Sequence, residues 1–103
     1  MDPSLTRIVA ELRSKLSDLV ATTSDAQLKH LCDLGATKSL TYGITTEHNV
    51  YRFIAAMLFF GKDFDTDPKL VWTKDFLFDP QIEEDHKARL LELRIAIDTG
   101  RGV

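Results

Sequence analysis

Apolar residues recur along most of this chain at the alternating three-and-four spacing of a helix face, and the expected elements follow from that period. Leu5, Ile8, Val9, Leu12, Leu16, Leu19 and Val20 share one stripe and predict a first helix. Residues 22–25 interrupt it, with Ser24 or Asp25 placed to cap the next helix. That second helix carries Leu28, Leu31, Cys32 and Gly35, with Ala36 and Leu40 adjoining, and stops at Gly43. Ile44 just beyond suits the apolar contact that closes such an end. Thr45 or Thr46 caps a third helix, with Glu47 favourable to its dipole. This helix is apolar nearly all round: Val50, Phe53, Ile54, Met57 and Leu58 on one side, Tyr51, Ala55, Phe59 and Phe60 on others. Such a helix belongs in the middle of a bundle.

Proline and glycine punctuate the pattern. All three prolines follow an aspartate, in Asp2-Pro3, Asp67-Pro68 and Asp79-Pro80. Aspartate accepts from free first-turn amides and proline needs no amide partner at the next position, so each pair reads as a helix start. On that reading a short aromatic helix covers residues 68–76, and a last helix covers 80–98. Ile82, Leu90, Leu93 and Ile97 would form its stripe, with Leu91 and Ile95 beside them. Gly43, Gly61 and Gly100 each follow a periodic run, where a helix end favours positive φ. No segment alternates as a strand would. The expected fold is all-α, one domain over residues 1–103, a compact bundle of about four longer helices plus one short helix.

Composition narrows the function classes. With 44% apolar and 28% charged residues among 103, the chain can build one core. Its net charge of −3 and scattered basic residues argue against nucleic acid, which is held by clustered Lys and Arg. The same scatter argues against an anionic membrane surface. The most apolar run, residues 50–61, contains Arg52 and falls short of the roughly 20 residues a bilayer requires. Residues 1–9 lack a signal-peptide layout, and Cys32 is the only cysteine, so a reducing cytoplasm is the expected compartment.

Candidate chemistry is sparse. Asp63-Phe64-Asp65-Thr66-Asp67 begins like a calcium loop, but Pro68 and Lys74 stand where the turn glycine and the bidentate glutamate are required. Glu83 and His86 form one half of a carboxylate-bridged di-metal motif without a second copy. Neither a metal nor another cofactor is expected. His30 and Cys32 fall on different helix faces, and no phosphate loop or nucleophile elbow is present, so no catalytic residues are assigned. What remains is an acidic-aromatic stretch. Phe64, Asp65, Trp72 and Phe78 are the candidate partner-binding residues, because aromatics among charges on a short irregular segment suit an interface. The bland reading makes the aromatics core plugs. It fits Trp72 and Phe76 best, leaving Phe64 and Phe78 as the expected surface residues.

Tyr42-Gly43-Ile44-Thr45-Thr46-Glu47, then Val50, Phe53-Ile54, the run from Phe60-Gly61 through Phe64-Asp65-Thr66-Asp67-Pro68, and Trp72 resemble a pattern in small bacterial helical proteins and modules. Those are encoded beside type VI secretion spike, adaptor and toxin genes. The match spans residues 42–77. It departs at Val71-Trp72-Thr73, where relatives carry Pro-Trp-Ala. The resemblance implies a non-enzymatic protein-binding role in a bacterial cytoplasm, as chaperone, adaptor or immunity partner of a secreted toxin. An enzyme with an unrecognised site and a structural piece of the secretion machine are the competing expectations.

Overall fold

The computed structural model describes residues 3–103, so Asp2 and its proposed cap lie outside the described residues. The fold is an all-α bundle: α1 (Pro3–Lys15), α2 (Ser17–Val20), α3 (Asp25–Thr41), α4 (Glu47–Phe60) and α5 (Glu84–Thr99). Two 3₁₀ turns, Phe64–Thr66 and Val71–Asp75, lie between α4 and α5. Leu5, Ile8, Leu12, Leu16 and Val20 are buried, as the first stripe requires, but the helix breaks at Leu16. Arg13 holds the break closed, donating to the carbonyls of Val20 and Thr23 at 2.7 and 2.8 Å and to Asp25 at 2.7 Å. Among the described residues, the short α-helix is therefore Ser17–Val20.

Ser24 caps α3 in a full capping box with Gln27: its hydroxyl accepts from the Gln27 amide, and the Gln27 side chain accepts from the Ser24 amide. The other end closes with two reversed bonds, Ile44 N–H to Ser39 O at 2.9 Å and Gly43 N–H to Leu40 O at 3.0 Å. That geometry needs a left-handed residue, supplied by Gly43 at φ +76°. Ile44, delivered by the turn, is fully buried.

α4 is the central helix. Val50, Tyr51 and every residue of 53–57 are buried. It lies close to α3, because a Cβ on Gly35 would come within 2.5 Å of Ile54 Cγ1 and 3.0 Å of Met57 Sδ. Gly35→Ala is accordingly expected to destabilise by about 1–2 kcal/mol, overpacking exceeding the gain of about 1 kcal/mol in helix propensity. Urea unfolding checks this; an unchanged or raised midpoint would show that α3 and α4 separate at little cost.

Two expectations are corrected between α4 and α5. No α-helix covers residues 68–76, and the last helix begins at Glu84, not Pro80. Asp67 and Asp79 instead open β-turns. Each accepts a backbone bond from the residue three ahead, Leu70 at 3.0 Å and Ile82 at 3.3 Å. Each carboxylate also accepts from the amide two ahead, Lys69 and Gln81, both at 2.9 Å. Aspartate at the first and proline at the second turn position satisfy a turn as well as they would a helix start.

The stripe expected inside is split: Ile82 and Leu90 pack partly buried against the core, while Leu93 and Ile97 on α5 face out. Ala88, Leu91 and Ile95 are fully buried, whereas Leu93 and Ile97 are 54% and 64% exposed. At about 100° per residue, Leu90, Leu93 and Ile97 lie opposite Leu91 and Ile95. α5 thus has two apolar faces, and one is left uncovered. No helix among the described residues is long and apolar enough to cross a membrane.

Candidate protein-contact surface

The four candidate contact residues separate on burial. Phe64, expected at the surface, is 1% exposed, and Asp65 is 4% exposed. Phe78, at 50%, is the one of the four that stands well out in solvent, and Trp72 is half-buried. The 3₁₀ turn at Phe64–Thr66 causes the correction. It folds the Phe64 ring inward to 5.2 Å from Phe53 and 6.2 Å from Phe60, measured between centroids. The next side chain, Asp65, is carried beneath α3.

There Asp65 Oδ2 accepts from the Tyr42 hydroxyl at 2.6 Å, and Oδ1 accepts from Lys38 Nζ at 3.1 Å. Lys38 also donates to Asp63 at 2.8 Å and to the Lys62 carbonyl at 2.6 Å, so its three ammonium hydrogens have three acceptors. Burial alone would lower the Lys38 ammonium, but the bonds to Asp63 and Asp65 hold it above its ordinary value. Burial, reinforced by the bond to Asp65 and its charge, pushes the Tyr42 phenol well above its ordinary range. Lys38 thus occupies the acidic turn in the position a cation would take. Among the described residues, no three His, Cys, Asp or Glu side chains gather as a metal would need.

Cys32 is fully buried. Burial, with a smaller contribution from Asp33, raises its thiol to about 11, so almost no thiolate is present at neutral pH.

An open groove with exposed apolar side chains lies away from the acidic turn. Trp72 and Phe76 stack with centroids 5.9 Å apart and form one wall of an open groove of about 310 Å³. Leu90, Leu93 and Ile97 form the opposite wall, and Ile82 lines it as well. Arg94 lies over the Trp72 ring at 5.3 Å while its Nε donates to Asp98 at 3.2 Å. Among the described residues, the buried Trp72 Nε1–H has no acceptor. Asp75, exposed on the groove, makes no ion pair among the described residues. Ile82 also lines a second depression with Phe78 and Pro80. One apolar face therefore runs from Phe78 across Ile82 to Ile97.

Leu93 and Ile97 were read as core and not as exposed because their spacing equals that of a core stripe. The available signal was the second stripe, Ala88-Leu91-Ile95, interleaved with the first. No protein-family profile, curated protein or solved structure matches the chain.

Proposed function

We propose that this chain is a non-enzymatic protein-binding module that receives an amphipathic helix in the groove between Val71–Asp75 and the outer face of α5. The observation that carries the reading is the two-faced α5. A helix whose inner stripe already fills the core has no folding need for Leu93 and Ile97 at the surface. Such grooves take apolar anchors at three-and-four spacing from a partner helix. Charge gives the partner its polarity. Arg94 is satisfied by Asp98 and the indole, which leaves Asp75 to meet a Lys or Arg flanking the partner's apolar stripe. The resemblance over residues 42–77 suggests a secreted type VI effector as that partner, with this chain as its chaperone, adaptor or immunity protein.

The test is co-purification with candidate type VI toxins, beginning with any encoded beside its gene. Leu93→Asp with Ile97→Asp is expected to leave the helical content and unfolding midpoint nearly unchanged, since both side chains are largely exposed. Affinity should drop at least about 100-fold, or roughly 2.7 kcal/mol. Wild-type affinity in a folded double variant would refute the groove as the contact.

A further inference from the structure

Lys87 is 3% exposed, and its ammonium has no carboxylate within ion-pair distance among the described residues. Nζ donates to the carbonyl of Tyr42 at 2.9 Å and to that of Leu77 at 3.1 Å. An ammonium has three donors, so among the described residues one is left over. Buried cations are ordinarily paired, because neutral carbonyls replace only part of the hydration that is lost. Glu84 is near in sequence, but its two carboxylate oxygens already accept five hydrogen bonds from Thr45, Thr46 and Asn49.

Lys87 lines a cleft of about 460 Å³, within the range of small-molecule sites. Tyr42, Phe78, Pro80 and Ile82 also line it, with Phe78 set edge-on to Tyr42 at 5.3 Å. Glu83 is exposed on the same cleft, and Glu84 lines it too, with its carboxylate held by Thr45, Thr46 and Asn49. The cleft thus combines a buried positive charge, an apolar lining and two carboxylates, one of them already fully engaged.

We propose that this cleft binds a carboxylate carried on an apolar body, with the carboxylate taking the third N–H of Lys87 and the body covering Phe78, Pro80 and Ile82. Glu83 and Glu84 together disfavour anions of higher charge, which selects a single carboxylate over phosphate. Two sources share this chemistry: a free organic acid and the C-terminal carboxylate of a polypeptide. The cleft adjoins the α5 groove and shares Ile82 with it, but Leu93 and Ile97 line the groove alone, so Leu93→Asp/Ile97→Asp should bind the same probes unchanged, and either proposal can fail alone.

The experiment is a ¹⁵N–¹H titration of the full chain with N-acetyl-leucine, a pentapeptide ending in leucine, the C-terminal amide of each, and inorganic phosphate. The acids are expected to shift the amides of Gly43, Phe78 and Lys87 and to bind at least tenfold more tightly than the amides. Phosphate is expected to shift none of them. Pentapeptide binding tenfold tighter than N-acetyl-leucine identifies a chain end as the ligand; equal affinity identifies a small acid. Lys87→Gln should abolish the preference for acid over amide. Equal binding of acids and amides by the wild-type chain, or no shift with either acid, overturns the proposal whether or not the variant folds.

Discussion

Phe64→Ala is expected to lower folding stability by about 3–5 kcal/mol, the usual loss for a fully buried phenylalanine. The ring packs on Phe53 and Phe60, and Trp72 stacks on it at 6.3 Å. Truncation would open a cavity at the centre of this aromatic cluster. Rigid elements surround it: α4 contributes Phe53 and Phe60, and Trp72 is fixed by its own stack on Phe76. Partial collapse would drag the Phe64–Thr66 turn and weaken the bonds of Asp65 to Tyr42 and Lys38. Phe78→Ala is the control, since a half-exposed ring with an edge contact to Tyr42 should cost less than about 1 kcal/mol. Urea unfolding of both variants checks the pair. Comparable losses would place Phe64 at the surface and restore the acidic turn as a contact site.

Much of the fold was legible because its signals were local. Ser24 and Gln27 are three residues apart and complete a cap together. Gly43, Gly61 and Gly100 all take positive φ at helix ends. Phe53 to Met57 are buried without a gap, as an all-round apolar helix requires. The errors arose where one local pattern serves two structures. Asp-Pro opens a β-turn as readily as a helix, and both internal pairs open turns. α5 loses four residues at its start for that reason.

The exposed apolar groove was less legible, for a different reason. Periodicity tells which residues share a face but not which face meets the core. With two apolar stripes on α5, only the docking of α4 decides that Leu91 goes in and Leu93 stays out. Asp65 failed in the opposite direction. Its partners, Tyr42 and Lys38, are 23 and 27 positions away, so one carboxylate of an acidic run that reads locally as a solvated turn is buried and paired, while Asp63 stays exposed. Lys87 is the same kind of case, with acceptors 45 and 10 positions away. Long-range pairing of charged residues has no period to detect.

The same blindness hid Glu84, whose removal is the second large expected effect. Thr46 caps α4 without a side-chain bond of its own to the helix. Glu84, at the start of α5, takes over. Oε1 accepts from the Thr46 amide at 3.0 Å, the Thr46 hydroxyl at 2.7 Å and Asn49 Nδ2 at 2.9 Å. Oε2 accepts from the Thr45 amide at 3.3 Å and the Thr45 hydroxyl at 2.9 Å. A carboxylate there also meets the positive end of the α4 dipole. Partial burial raises the Glu84 carboxyl, but the bonds from Asn49, Thr46 and Thr45 outweigh it and bring it from 4.5 down to about 2. A carboxyl depressed by folding stabilises the ionised protein. Its contribution is complete above the unfolded value near 4.5 and disappears as pH falls through about 2. Solvent reaches part of the group, which reduces that contribution to about 2 kcal/mol. Glu84→Gln keeps the shape, removes the charge and turns an amide group toward donors, so about 2 kcal/mol should be lost at pH 7. The gap between wild type and variant in urea unfolding should narrow below pH 4.5 and nearly close at pH 2. A gap that stays constant from pH 7 to pH 2 would mean that the charge on Glu84 does not anchor the start of α4.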